Sequence, residues 1–410
     1  MKRELVVQLT RFGDLIQTKR LVLSLQRQGS EVHLMIDRSL KKLAGLVYPD
    51  VVIHSIISHG SAISTADTWR VLIENRKTFD QVSGINFDRV YNLNFSAMNY
   101  AVSALFNPAK VVGYRLENGQ ELKSPWIELA FRFSANRRCG INLVDYWAAF
   151  ADKMIAPQDV NPVPEAKGGG IGVVLSGRES RRSLPINVLV PIIGAARSSA
   201  ANKKVFLLGS SAEKESGAKL KQALPKSFSG DVINLAGKTD WADLYEIVSG
   251  LDRILTPDTG TMHLAAHLGI PVTAFFLSSA WVTETGPYGE GHRILQSSAP
   301  CAPCLESAPC PNQIACLDAF KSGETSRYAA TGKPSHLSEN MFLFESGFDA
   351  LGVRFNLIRG AEPYAEERRR MRDFLAAHLG LADPAQHGPF FDIAERYYRD
   401  KDWITFNRKS

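Results

Sequence analysis

Three loops and one cysteine cluster hold the side chains best suited to chemistry. In Thr10-Arg11-Phe12-Gly13-Asp14 the glycine permits a sharp turn, and Asp14 falls at the start of the stretch that follows. A carboxylate there either caps a helix, a role Asp favours, or stands ready to take a proton from a substrate. Residues 176–185 (SGRESRRSLP) set Arg178, Arg181 and Arg182 among Ser and Gly, with Pro185 placed to open a helix. Guanidinium forks beside free backbone N–H groups suit a phosphate; a solvated basic loop is the plainer alternative. Residues 256–263 (TPDTGTMH) leave an apolar run, turn at Gly260 and enter a helix, again presenting donors suited to an anion. His263 and His267 have the i, i+4 spacing of a zinc helix, but Leu264 stands where the metalloprotease motif needs Glu. His263 is therefore expected to face a ligand and His267 to be packed or solvated. Four of the five cysteines, Cys301, Cys304, Cys310 and Cys316, read Cys-x2-Cys-x5-Cys-x5-Cys. Such clustering suggests a structural tetrathiolate site, zinc before iron, with four reduced thiols as the alternative.

These loops need a frame that positions them. Short runs rich in Val, Ile and Leu alternate with amphipathic stretches, the pattern of parallel strands joined by crossover helices. Strands are expected at 5–9, 31–36, 51–56, 89–93 and 110–114, with helices at 14–28, 39–46, 65–76 and 97–106 and a long helical region to 155. Residues 156–170 (APQDVNPVPEAKGGG) pack three prolines and three glycines into a linker. A second alternating half follows, with strands at 171–175, 204–208, 232–235, 253–255 and 272–276 and helices at 186–197, 213–223, 241–249 and 261–268. Each candidate loop thus follows a strand and precedes a helix, the end of an open parallel sheet where ligands bind. Beyond 319 the pattern fades: 321–336 reads as loop, 363–379 as a charged helix and 390–403 as an aromatic-rich helix. The expected domains are 1–160, 161–320 and a mainly helical extension, 321–410. Gly168-Gly169-Gly170 precedes a strand instead of following one, so it is not a dinucleotide fingerprint.

Composition excludes several classes. With 45% hydrophobic and 22% charged residues the chain is neither disordered nor collagen-like. No stretch approaches the ~18 apolar residues of a membrane span. Arg11 and Asp14 interrupt the N-terminal run before a secretory core forms, so a cytoplasmic protein is expected. A net charge of +6 leaves room for an anionic partner. No basic face interleaved with aromatics supports a nucleic-acid binder. The arginine-rich stretch 368–372 suits either an anionic lipid surface or a solvated helix.

The run 255–272 (LTPDTGTMHLAAHLGIPV), followed by Thr285-Gly286-Pro287-Tyr288-Gly289, resembles the donor-site signature of glycosyltransferase family 9, the ADP-heptose:lipopolysaccharide heptosyltransferases. Residues 11–18 (RFGDLIQT) are similar to that family's N-terminal loop. Residues 182–185 (RSLP) resemble its Lys-x-Trp-Pro phosphate loop, with Arg for Lys and Leu for Trp. The likeness spans residues 4–320 in the family's order. It implies an α/β fold of the GT-B type, two doubly wound Rossmann-like domains facing a central cleft, with acceptor bound mainly by the first and nucleotide sugar by the second. It further implies that Asp14 is the general base, with Arg11 and Gly13 on the acceptor side. Asp258, Thr259, Gly260 and His263 would then hold the donor's sugar and diphosphate. Arg182, with Ser176 and Arg178 in the same loop, would hold the diphosphate, and Glu213 the adenosine ribose.

The implied activity is inverting, metal-independent transfer of heptose from ADP-heptose to a lipopolysaccharide core or related surface-glycan acceptor. No Asp-x-Asp motif stands in either donor loop, in keeping with a reaction that requires no cofactor. Three departures concern the rest of the chain: Asn94-Phe95-Ser96-Ala97-Met98-Asn99 replaces a segment that usually carries Gly and a basic residue, Arg20 replaces a common proline, and residues 321–410 exceed the usual length. They leave open transfer of another nucleotide sugar to a different glycan or to protein, and a non-catalytic nucleotide-sugar-binding assembly role. The partners expected are a nucleotide-sugar donor and a lipid-linked or surface-glycan acceptor, without nucleic acid. Peripheral contact with the cytoplasmic face of the inner membrane is open.

Overall fold

The computed structural model describes the chain except residues 59–64, 135–139, 178–179, 229, 306, 387–389, 391–392, 394 and 396–410. Arg178 and most of the helix expected at 390–403 lie outside the described residues. The chain folds as two compact units. One comprises Met1–Asn136, Leu143–Ile155 and Ala377–Ser410, the other Arg137–Asn142 and Ala156–Ala376.

The first unit carries the strands β1 (Arg3–Gln8), β2 (Glu31–Asp37), β3 (Val52–Ile56), β4 (Arg89–Asn92), β5 (Val111–Glu117) and β6 (Gln120–Lys123), in the order β3-β2-β1-β4-β5-β6. All pair in parallel except β5 with β6. Leu5, Val7, Leu9, Met35, Val90 and Val111 form a core on these strands, closed by Val82, Phe87 and Val102. The single helix expected at 14–28 is two, Phe12–Gln17 and Lys19–Arg27. They part at Thr18, whose hydroxyl donates to the Leu15 carbonyl at 2.6 Å and shares a hydrogen bond with Tyr48 Oη at 3.0 Å. Gly113 on β5 is required by backbone geometry: its φ is +95°, and a Cβ there would stand 2.2 Å from the Asn92 carbonyl oxygen.

Arg20, where a proline was expected by resemblance, is buried and reaches the Leu143–Ile155 segment of this unit. Its Nη1 donates to Asp145 Oδ1 at 2.6 Å, and Nε and Nη2 share the Ile155 carbonyl at 3.2 and 2.9 Å. A buried cation is tolerable only when paired and hydrogen-bonded in this way.

The second unit carries β7 (Ile171–Val174), β8 (Val205–Leu208), β9 (Val232–Asn234), β10 (Arg253–Pro257), β11 (Val272–Phe276), β12 (Arg293–Ser297), β13 (Met341–Phe348) and β14 (Val353–Arg359). The order is β14-β13-β12-β11-β10-β7-β8-β9, parallel from β9 to β12 and antiparallel beyond. Helix Trp241–Ser249 starts on a side-chain cap: Asp240 Oδ1 accepts the Ala242 and Asp243 N–H groups at 2.8 and 3.0 Å.

The region after 321 differs from the mainly helical extension expected. Residues 321–336 include helix Gly323–Thr331, and β13 and β14 complete the second sheet. Both faces of β13 are covered, with Met341, Phe342, Leu343 and Phe344 all buried. Such a strand shows no two-residue alternation to read. The arginines at 368–372 are largely committed within the fold. On helix Ala365–His378, Arg368 forks onto Glu362, Arg372 forks onto Asp349 at 2.7 and 2.8 Å, and Arg369 pairs with Glu366 and Asp373.

Candidate functional site

The strand order of the second unit reverses between β7 and β10, so the loops leaving their carboxyl ends lie side by side, with the loop after β8 beside them. Arg182 Nη2, from the loop after β7, donates to Asp258 Oδ2, from the loop after β10, and lies 3.5 Å from the Asp258 carbonyl. The two side chains are only 12% and 7% exposed. Thr285 Oγ1 donates to the same carboxylate oxygen at 3.0 Å. One oxygen therefore receives a guanidinium and a hydroxyl from two other segments. The loop after β7 is closed by the Gly177 N–H donating to Ser183 Oγ at 2.8 Å.

Thr259 is extended and caps helix Gly260–His267, its Oγ1 accepting the Met262 N–H at 3.3 Å and pairing with Thr256 Oγ1 at 3.1 Å. The helix's first turn, Gly260 and Thr261, is half-buried. His263 and His267 are both buried, and His267 stands edge-on to Tyr245 with ring centroids 6.2 Å apart. His267 is thus packed, as expected.

Glu213 sits just after β8. Its Oε2 accepts the Ser210 N–H at 2.8 Å and the Ser210 hydroxyl at 2.7 Å. Burial alone raises the carboxyl's pKa. Hydrogen bonds from the Ser210 hydroxyl and N–H, with one from the Ser176 hydroxyl, outweigh burial and hold Glu213 below its ordinary value. Ser176 and Glu213, from neighbouring strand ends, are therefore in contact. Gly237 permits close approach to Ser211: its φ is +68°, and a Cβ would stand 2.9 Å from Ser211 Cα.

In the first unit, Asp14 lies in helix Phe12–Gln17, which follows β1 at the reversal between β1 and β4. Its Oδ2 accepts the Arg11 N–H at 3.2 Å. Asp14 and Gly13 are half-buried and Arg11 is exposed. Asp14 thus caps the helix entrance and remains accessible. The loop is steadied by Thr10 Oγ1, which donates to Gln8 Oε1 at 2.6 Å.

Two expectations are corrected. Arg181 does not contribute a fork to a phosphate: Nη1 and Nη2 donate to the carbonyls of Ala308 and Leu305 at 2.6 and 2.9 Å, gripping the cysteine segment. The tetrathiolate is not assembled either. Cys316 is buried and senses the other three thiols, which with burial push its pKa up, so the four lie in one neighbourhood. Yet Cys304 Sγ is turned to Ser278 Oγ at 3.3 Å, and Cys310 Sγ accepts the Ile314 N–H at 3.3 Å. Among the described residues no three His, Cys, Asp or Glu side chains are gathered as metal ligands, and a structural zinc finds no support in this arrangement.

Sequence reasoning missed Thr285 and Ser210, which hold the carboxylates of Asp258 and Glu213. Thr285 stood inside a quoted motif. Ser210 precedes Glu213 by three residues, the spacing of a capping box, and was legible.

Two doubly wound α/β units with loops of this kind at their switch points define the GT-B class. The glycosyltransferase family 9 (heptosyltransferase) family model matches residues 195–314. Lipooligosaccharide heptosyltransferase 2 of Haemophilus influenzae is 33% identical over 72 residues, 18% of this chain and 21% of that protein. Lipopolysaccharide heptosyltransferase 1 of Pseudomonas aeruginosa is 34% identical over 98 residues, 24% of this chain and 26% of that protein. These matches therefore span about a quarter or less of the curated relatives. The solved structure of E. coli ADP-heptose LPS heptosyltransferase II superposes with a TM-score of 0.53 at 18% identity, covering 72% of this chain and 90% of that one, a likeness of fold. The likeness to glycosyltransferase family 9 (heptosyltransferase) is carried by residues 195–314, under a third of the chain.

Proposed function

We propose that the protein is an inverting glycosyltransferase that moves a heptose from ADP-heptose to a lipopolysaccharide core or related surface-glycan acceptor. The observation that carries this reading is the Arg182–Asp258–Thr285 cluster, built at the switch point of the unit that matches the family.

In this reading the second unit holds the donor. Arg182 and the amides at the start of helix Gly260–His267 face the diphosphate, Asp258 and His263 the sugar, and Glu213 with Ser176 the ribose. The acceptor hydroxyl oxygen attacks the anomeric carbon as the bond from that carbon to the diphosphate oxygen breaks. The bonding pair leaves on ADP, the configuration at the carbon inverts, and Asp14 takes the hydroxyl proton. Charge developing on the leaving diphosphate is met by Arg182 and backbone N–H groups. Arg182 and the helix amides supply this stabilisation from the chain's own groups.

The acceptor side is specific to this chain. Where the family usually has Gly and a basic residue, Asn99 is fully buried, Asn92 Nδ2 donates to the Asn99 and Tyr114 carbonyls at 3.0 and 2.7 Å, and Ser96 caps the next helix. The segment's amides are used internally, which favours an acceptor less acidic than the inner-core sugar.

The test pairs two measurements on Asp14→Asn. Calorimetry with ADP-heptose is expected to give unchanged donor affinity, and transfer followed by mass spectrometry is expected to fall by about two orders of magnitude or more. Full turnover in this variant removes Asp14 from the mechanism. Absence of ADP-heptose binding by the unaltered protein, with another nucleotide sugar bound instead, replaces the donor.

A further inference from the structure

In the first unit a row of three aromatic rings reaches the surface on the loop after β4. Tyr100 stands edge-on to Tyr114 with ring centroids 6.1 Å apart, and Tyr114 meets Phe95 at 5.7 Å. Tyr100 and Tyr114 are buried, whereas Phe95 is 70% exposed. The backbone around the row is braced. Asn92 Nδ2 donates to the Asn99 and Tyr114 carbonyls, Asn99 Nδ2 donates to Asn92 Oδ1 at 2.9 Å, and Ser96 Oγ accepts the Asn99 N–H at 3.2 Å. Phe95 is thus an outward ring on a fixed loop.

Its place separates Phe95 from other exposed apolar side chains. β1 and β4 adjoin where the strand order reverses, with Val7 paired to Asn92. Phe95 follows the end of β4 by three residues, and Asp14 follows the end of β1 by six. Their loops leave neighbouring strand ends, where open sheets take ligands. Polar atoms without a partner collect at the same ends. Gln8, the last residue of β1, is fully buried; its Oε1 accepts the Thr10 hydroxyl, but its Nε2 has no hydrogen bond. Asn94 Oδ1, next to Phe95, is buried without one, and so is the Nε2 of Gln17, one helical turn after Asp14. Unsatisfied buried amides are costly, and they persist where a ligand or water completes their bonding.

The chemistry of these groups defines the ligand. Amide donors and an amide acceptor, none of them ionisable, match hydroxyls, which both give and accept hydrogen bonds. An exposed ring matches the C–H-bearing face of a pyranose, whose weakly positive hydrogens meet the negative π face. Residues 93–106 (LNFSAMNYAVSALF) hold no cation that would draw a carboxylate. We propose that Phe95 is a specificity-determining residue of the acceptor site: its ring stacks on an uncharged pyranose, and the Asn94 amide bonds a hydroxyl of that sugar. This rests on the acceptor reading above and names its substrate class, a neutral sugar.

The test uses the full-length protein and saturation-transfer NMR with the protein's aromatic protons irradiated. The probes are the methyl glycosides of glucose, galactose and mannose, set against the methyl glycosides of glucuronic and galacturonic acid. At least one neutral glycoside is expected to take up saturation at its ring C–H protons, several-fold more than the acidic ones. Phe95→Leu keeps an apolar side chain and loses the π face; it is expected to weaken that signal about fivefold or more, and Phe95→Trp to restore it. The thermal melt of both variants is expected to match the parent, because the side chain is exposed. Equal saturation in the parent and Phe95→Leu, none by the parent, or a preference for the acidic glycosides overturns the proposal. ADP-heptose affinity is measured by calorimetry on the same samples. Its absence alongside a Phe95-dependent sugar signal refutes the proposed donor and leaves the sugar platform standing.

Discussion

Arg182 and Asp258 are 76 residues apart in the chain yet meet as a nearly buried ion pair, each contributed by a loop flanking the strand-order reversal. Neither charge has much water around it, so each depends on the other and on Thr285. A diphosphate arriving at Arg182 would share that guanidinium with Asp258. In the proposed reading, an anion would compete for a cation that Asp258 already holds in place.

Breaking this pair is expected to cost both binding and stability. Asp258→Ala leaves Arg182 without its counter-charge; removal of one partner from a buried pair costs about 3–5 kcal/mol, an upper figure for a site with some solvent access. The expected result is a lower melting temperature and a loss of ADP-heptose affinity of about tenfold or more by calorimetry. Arg182→Lys keeps the charge and loses the fork, so it is expected to retain the fold and weaken the donor. Unaltered donor affinity in both variants removes the pair from the donor site.

Arg181 is expected to act through position. Its guanidinium holds the carbonyls of Leu305 and Ala308, tying the cysteine segment to the loop that carries Arg182. Arg181→Lys cannot span both carbonyls. It is expected to raise KM for the donor several-fold while leaving kcat within about twofold, and to hasten proteolysis of the segment around Leu305. Unchanged KM and unchanged cleavage would show the link to be idle.

In the first unit, Arg20→Ala is expected to be among the most destabilising single changes, by about 3–5 kcal/mol, because it leaves Asp145 buried and unmatched. Denaturant melts of Arg20→Ala, Asp145→Ala and the double variant form a cycle. The double variant is expected to be less destabilised than the sum of the singles. Strict additivity would deny the coupling.

Stability should fall on mild acidification. His292 is fully buried, its Nδ1 accepts the Val272 N–H at 3.3 Å, and burial pulls its pKa down to about 3. Its folded value lies below the ordinary 6.5, so between the two the unfolded chain binds the extra proton. The stabilisation is complete above about pH 6.5 and is lost progressively as pH falls toward 3, about 2 kcal/mol of it by about pH 5. His54, lowered by burial and by the neighbouring His33 to about 4, acts in the same direction. Melting temperatures from about pH 7.5 to 5 check this; His292→Asn, which keeps an acceptor without the titration, is expected to flatten the curve.

How much of this was legible in the sequence depends on whether the signal is local. The alternating Val-rich strands and amphipathic helices of both units could be read directly, because parallel strands and their crossover helices differ in period and length. The three loops were found by composition and by resemblance. β13 was missed because a strand covered on both faces has no alternation. The break at Thr18 was missed because a helix-compatible residue there turns its hydroxyl back on the Leu15 carbonyl. Arg181 and Arg182 are neighbours of the same type in one basic loop, and nothing local distinguishes the one that grips Leu305 from the one that meets Asp258.

The sequence by itself determined residue types, order and periodicity: two α/β halves, Asp14 after the first strand, and Arg182, Glu213 and Asp258 after strands of the second. Those are local properties of a chain and survive in one dimension. The tertiary structure decided the partners. Asp258 lies beside Arg182 because β7 and β10 adjoin at the switch point; Arg181 is drawn off to the cysteine segment; and the arginines at 368–372 are largely spent on carboxylates. The first two are contacts between segments far apart in sequence, and charge pairing and burial are set by distances that only the folded chain fixes.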